Sequence, residues 1–465
     1  MLRIPVVSVA FVAVLASCGD DGPSGGGTNT DPEPDDLAQK GVCAAASGAG
    51  TDHTGPITAN ETWTESGSPH RIPSDLVIKA TVTIEPCTVI RLAAGVRVSV
   101  GSASEPGRIV GHGTSEMVGG TLEVRPITFE ANDAGSRWGQ ISVEAKGTLD
   151  LAVTAIQNGG ATTSGEPGAV LVRGVAGGTN AGEVTRSAKL DAVLIERSAS
   201  YGLNLDAWGG LDAGSRKLWI RSSGGTAAPS PIRIEPGVAG TLPADLVATG
   251  NMKDEIEVRT TKSFMRDDTF GAHGIPYHVT STLFVNANAD GAAVTLHVEP
   301  GVTIGFDAGA NLLVGSSTTR QGLLAAPGTA AAPIVFTSAR PQKAAGDWAN
   351  ITFRATPPTG NRLSYARIEY AGADSQAASN GCGPNDNDGA LLILTGPPGE
   401  AFVDHSTFDQ IAGTTVIVSG WVDDAGPNFS TGNTFGASTP SCKVSKPRRT
   451  GGGNVCDGGR DICWP

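Results

Sequence analysis

The sequence predicts an all-β fold in which one module of short strands, stacked in parallel, is written twice. Three observations carry that prediction. First, Thr83-Ile84-Glu85-Pro86 returns as His297-Val298-Glu299-Pro300, and Arg137-Trp138-Gly139-Gln140-Ile141 returns as Asp347-Trp348-Ala349-Asn350-Ile351. Pro126-Ile127-Thr128-Phe129 matches Pro333-Ile334-Val335-Phe336 between them, and Gly95 with Val100-Gly101 matches Gly309 with Val314-Gly315. Order and spacing are kept, so a whole module is duplicated. Second, each copy is a succession of β-rich runs separated by Gly, Asn, Asp and Pro, with no helical period. Third, two-residue hairpin turns such as Asn-Gly are scarce at the run ends, which favours parallel coils whose strands lie about 4.8 Å apart. An array of β-sandwiches is the alternative.

Taken in chain order, Met1 to Ser17 reads as a secretory signal, with Arg3 as a positive start and Ile4 to Leu15 as an apolar stretch short for a membrane span. It ends in Leu15-Ala16-Ser17-Cys18, which resembles the lipobox of bacterial lipoproteins. That resemblance implies cleavage before Cys18, lipidation of its thiol and an anchor of acyl chains strong enough to hold a polar body at a membrane. Gly19 in place of Asp favours the outer membrane. From Gly19 to about Asp36 the chain has almost no large apolar residue, so we expect a flexible tether, within a linker region of residues 18–42.

The first module is expected over 43–225, the second over 226–440 and a disulfide-bearing tail over 441–465. In the first, the strands are placed at Val82 to Ile84, Val96 to Val100, Ile127 to Phe129, Ile141 to Val143, Val153 to Ile156, Val170 to Val172, Val193 to Ile195 and Leu203 to Leu205. The second repeats this rhythm, with Ile195 matched by Phe408 and Leu203 by Val416.

Seven cysteines less Cys18 leave six, an even number in an exported chain. Cys87 stands where the second copy has Gly301, and Cys43 lies in an unrepeated segment, so Cys43–Cys87 is the first expected bridge. Cys382 lies in a loop longer than its counterpart and Cys442 follows the last strand, so Cys382–Cys442 is the second; Cys456–Cys463 is the third. Other connectivities stay open. Zinc would need Cys-x-x-Cys or paired His spacing, which the chain lacks.

The run Pro333-Ile334-Val335-Phe336-Thr337-Ser338, then Gly346-Asp347-Trp348-Ala349-Asn350-Ile351, then Leu363 to Gly372, resembles right-handed parallel β-helix lipoproteins of Gram-negative bacteria. The resemblance covers most of residues 57 to 435 and implies the pectate-lyase-like fold. That fold hosts lyases, hydrolases, adhesins and inert spacers, so it fixes no activity.

A net charge of −13 argues against nucleic acid, whose phosphates call for clustered cations. Lys443, Lys446, Arg448 and Arg449 read as a solvated tail. Gly111-His112-Gly113 is similar to a polygalacturonase motif, but the surrounding loop recurs with Pro327 for His112 and reads as structural. Asn385-Asp386-Asn387-Asp388-Gly389 is the densest oxygen-ligand cluster; it reads as an Asx-rich turn or as a weak Ca²⁺ site through Asp386 and Asp388. Asp404, His405 and Asp409 have no matching histidine in the first copy and read as a solvated face. Trp138 and Trp348 recur in register and read as packing, whereas Trp208 and Trp219 do not recur and are the candidates for stacking on sugar. No catalytic residue is assigned and no cofactor is required. The expected function is an envelope-anchored structural or binding module for a polysaccharide or surface protein, at the outer membrane. The alternative is a carbohydrate-active enzyme, a lyase or hydrolase.

Overall fold

A computed structural model describes residues 31–161, 165–175, 184–206, 208–261, 263–264, 266–287, 292–374, 388–394, 398–420, 426–446 and 462–464. Cys18, Cys382, Asp386, Cys456 and the basic residues Arg448 and Arg449 lie outside them. Nearly all the regular structure of the described residues is strand, and the strands fall where the β-rich runs placed them, from Thr81–Ile84 through Gln140–Val143 to Leu203–Asp206. Pairing is parallel nearly throughout. Between named strands of the described residues it is antiparallel twice, in the hairpin Thr114–Val118/Thr121–Arg125 and between Cys442–Lys446 and Ile462–Trp464. An array of antiparallel sandwiches is thereby excluded.

A 13-stranded parallel sheet runs from Leu76–Ile78 in the first copy to Thr434–Phe435 in the second. It crosses the boundary through Ile232–Ile234, Ile256–Val258 and Tyr277–Val279, each paired to the next. The two copies therefore share one sheet. An 11-stranded sheet belongs to the first copy, and a five-stranded and a seven-stranded sheet to the second. One buried apolar cluster extends from Ile57 to Val444, so the copies share a core as well.

Equivalent strands do not continue in the same sheet. Val89–Leu92 lies in the 11-stranded sheet, but its repeat partner Thr303–Phe306 lies in the 13-stranded one. Arg97–Val100 lies in the 13-stranded sheet, and its partner Leu312–Val314 in the seven-stranded one. The second copy is thus stacked on the first one strand out of phase. The cause is the unrepeated stretch between Ile234 and Tyr277, which adds strand Ile256–Val258 to the shared sheet before the second copy begins.

Corners between strands are made by residues in left-handed conformation that stack from strand to strand. Val153, Ala192 and Lys217 have φ of 47°, 53° and 51°, and Tyr365 and His405 repeat the corner at 46° and 49°. Asn158, Arg197 and Ser222 form a second stack, matched by Tyr370 and Gln410. Each such residue costs roughly 1–2 kcal/mol. Ladder hydrogen bonds across the corners offset the cost, as from Asn158 N to Glu196 O at 3.1 Å and Tyr370 N to Asp409 O at 3.3 Å.

Three expectations are corrected. Residues 31–42, assigned to the tether and linker, form the helix Pro34–Ala38 and a strap docked on the first copy. Leu37 is fully buried with Val124, Ala155 and Leu194, and Asp31 and Asp35 pair with Arg216 at 3.1 Å and Arg221 at 2.7 Å. One leucine and two carboxylates thus hold a segment whose composition reads as disordered. Cys43–Cys87 pairs as expected, with Cα atoms 5.3 Å apart. Cys442, however, is bonded to Cys463, which rules out both Cys382–Cys442 and Cys456–Cys463. Strand Ile462–Trp464 turns back antiparallel onto Cys442–Lys446 and brings the two together. Finally, Cys442–Lys446 pairs with Thr415–Ser419 as the next strand of the seven-stranded sheet, so the second module extends past residue 440.

Candidate functional site

The phase shift leaves a cleft where the first copy gives way to the second. Its cavity is about 480 Å³ and is lined by Val184, Arg186, Gly237, Thr241, Arg266 and Thr269, among others. Neither copy has a counterpart of this junction, so its side chains answer to no repeated packing rule.

The floor is built by Asp268, the first residue of strand Asp268–Phe270. Its Oδ2 accepts from Gly237 N at 3.0 Å and Ala239 N at 3.1 Å, and its Oδ1 from Gly240 N at 2.8 Å and Thr269 N at 2.9 Å. Burial pushes the carboxyl pKa up, while the four N–H donors pull it down. Since the backbone takes both oxygens, Asp268 is a structural clamp on the turn Ala239–Thr241.

Above it, all three nitrogens of Arg266 are closed off from solvent and meet no hydrogen-bond acceptor among the described residues. Its guanidinium lies 5.9 Å from the centre of the Trp208 ring, a cation–π contact. Burial pulls its pKa down, with the charge on Asp268 opposing. Gly237 makes room: φ is 91°, and a Cβ there would lie 2.9 Å from Arg266 Nε. The exposed Arg186 donates Nη1 to Leu211 O at 3.0 Å.

Trp208, half-buried, is therefore part of this cleft, with Arg266 against its ring. Trp219 is not an open platform, because it packs with Leu37, Val124, Ala155 and Leu194 under the strap. Asp388 is half-buried and accepts from Thr414 Oγ1 at 3.3 Å; burial raises its pKa. His112 lies 3.0 Å from Asp150, its neighbour on the next strand, as a structural reading expects. His405 stacks on Tyr365 at 4.7 Å and sits 3.5 Å from Asp404. Among the described residues no three His, Cys, Asp or Glu side chains converge as a metal site. Sequence reading missed Arg266 and Asp268; the signal it could have used is that both lie in the one long stretch without a repeat partner.

Two histidine clusters give opposite pH responses. His53 Nε2 and His70 Nδ1 are 3.0 Å apart, stacked with Trp63. Burial lowers both pKa values, with Glu61 opposing. His278 instead lies between Glu255, 3.0 Å from Nδ1, and Asp307, 2.9 Å from Nε2. Burial disfavours its charge, but these carboxylates prevail and its pKa is raised to about 9. A depressed folded pKa stabilises above the unfolded value and is lost as pH falls, whereas a raised one stabilises below the unfolded value and is lost as pH rises through about 9. Thermal melts should therefore weaken on both sides of neutrality. His70→Asn should flatten the acid limb. His278→Gln should flatten the alkaline limb, worth about 1–2 kcal/mol after discounting for the half-exposed Asp307. Unchanged limbs in the two variants would refute the assignments.

Compared with known proteins, the chain matches no family model, no curated protein and no solved structure.

Proposed function

We propose that the chain is a surface-anchored lipoprotein of the bacterial envelope, whose body is a duplicated right-handed parallel β-helix of the pectate-lyase-like kind acting as a binding module. The observation that carries this reading is the 13-stranded parallel sheet, in which strands distant in sequence stack in register through both copies. Parallel ladders of this length, joined by corners that recur in both copies, suit a coil that grows by stacking and that duplication simply lengthens. Binding is favoured over catalysis because the buried carboxylate in the junction cleft is occupied by backbone N–H groups, so it is not free to act as a base.

Anchoring is tested by detergent phase separation of the exported protein. The native chain should enter the detergent phase and incorporate labelled palmitate, and Cys18→Ala should do neither. Partition of the native chain into water, with an unmodified Cys18, would sink the anchor. The enzyme reading is tested by incubation with polyuronates and Ca²⁺; release of unsaturated or reducing sugar, lost in Asp388→Ala, would overturn the binding module.

A further inference from the structure

The junction cleft holds a guanidinium in an unusual state. Buried donors are paired in the great majority of cases, and leaving one unmade costs about 1–3 kcal/mol, more for a charged group. Arg266 leaves three nitrogens unmade at once. Among the described residues its compensation is the Trp208 ring and the nearby charge of Asp268. Asp268 cannot serve as its partner, since both carboxylate oxygens face backbone N–H groups. Beside it lies a cavity of about 480 Å³ that Arg186 also lines, a volume within the roughly 300–1,000 Å³ of small-ligand sites. Arg186 commits one nitrogen to Leu211 O and keeps its charge at the rim. Asp267 and Thr269 line the same cavity, and Asp267 Oδ1 accepts from Thr295 N at 2.7 Å. The cleft thus combines two forked cations with a few hydroxyl-binding groups.

We propose that this cleft binds a small hydroxylated ligand carrying an oxyanion, a carboxylate or a phosphate, and that Arg266 is parked on Trp208 until the ligand arrives. The planar fork of arginine matches both oxyanions bidentately. In the free protein the guanidinium rests against the indole; in the complex it turns into the cavity and pairs with the anion, joined by Arg186. Gly237 is what lets it lie where it does, because any Cβ at that position would crowd Nε. This rests on the binding-module reading and supplies the chemistry of its ligand.

The test is calorimetric titration of the full-length mature protein with glucuronate, glucose 6-phosphate and glucose, followed in parallel by tryptophan fluorescence. At least one of the two anions should bind saturably and glucose should not; the tighter anion identifies the source of the oxyanion. Arg266→Ala should weaken binding at least about tenfold. Arg266→Lys, which keeps the charge without the fork, should fall between. Trp208→Leu should abolish the fluorescence change, because the guanidinium leaves that ring when it pairs with the anion. Circular dichroism of each variant checks folding; if Arg266→Ala fails to fold, Arg266→Lys decides. Failure of both anions to bind below about 10 mM, equal binding of glucose, or native affinity in a folded Arg266 variant would overturn the proposal. The anchoring test involves Cys18 alone, so either idea can fail without the other.

Discussion

Trp348→Ala is expected to destabilise the protein by about 3–5 kcal/mol, the range for emptying a buried aromatic site. Trp348 is fully buried, stacks on Phe306 with ring centres 4.4 Å apart, and donates Nε1 to Glu369 O at 2.8 Å. Truncation loses the transfer energy of the indole, opens a cavity among rigid strands and leaves that carbonyl without its donor. Trp138 in the first copy is equally buried and donates Nε1 to Gln157 O at 2.7 Å. The same substitution there should therefore cost about the same within 1 kcal/mol, measured by denaturant titration with unchanged slope. Phe129 provides a smaller control: Phe129→Leu should cost less, about 1–2 kcal/mol. A Trp138 or Trp348 variant that loses under 1 kcal/mol would show that the recurring tryptophan is not the packing centre of each copy.

How far the sequence alone reaches can be seen at these same residues. The recurrence of Trp138 as Trp348, and the absence of Cys87 from the second copy, which has Gly301 there, pointed to buried packing and to a bridge with Cys43, and both are found. Strand positions were legible because runs such as Ile127-Thr128-Phe129 are bounded by turn residues. The phase shift was not, because self-comparison aligns residues that share words and says nothing about which strand each lies beside. Thr303–Phe306 reads like Val89–Leu92 yet pairs in a different sheet, since its neighbours depend on how many strands the intervening stretch contributes. The strap was missed for a related reason. Leu37 is one apolar residue in a polar stretch, and its burial depends on Val124, Ala155 and Leu194, which lie far along the chain. The bridge of Cys442 follows from the antiparallel pairing of Ile462–Trp464 with Cys442–Lys446, which no strand pattern in the sequence signals. The junction cleft was invisible on both counts: Arg266 and Asp268 are ordinary charged residues until the fold brings Trp208 and Gly237 beside them.

Asp268→Ala is expected to be the most damaging single change at the junction, again by about 3–5 kcal/mol. Four backbone N–H groups converge on its carboxylate, all within 3.1 Å. Hydrogen bonds to a charged acceptor contribute about 1.5–3 kcal/mol each, and an orphaned buried donor costs about 1–3. Four such terms do not add, because Gly237 and Gly240 line the adjoining cavity and water can reach some of the freed groups. The turn Ala239–Thr241 would lose the acceptor that fixes it against strand Asp268–Phe270, in the stretch that leads into the second copy. Asp268→Asn keeps one oxygen and points an NH₂ group at backbone donors, so it should lose about half as much stability. The decisive measurement is the shape of the denaturant curve. The shared 13-stranded sheet should make the two copies unfold together in the native chain, whereas a loosened junction in Asp268→Ala should split the transition or lower its slope, with the first copy surviving longer behind its strap and the Cys43–Cys87 bridge. A single native-like transition displaced by under 1 kcal/mol would mean that Asp268 does not join the copies, and that the ladder from Ile232–Ile234 to Tyr277–Val279 is enough by itself.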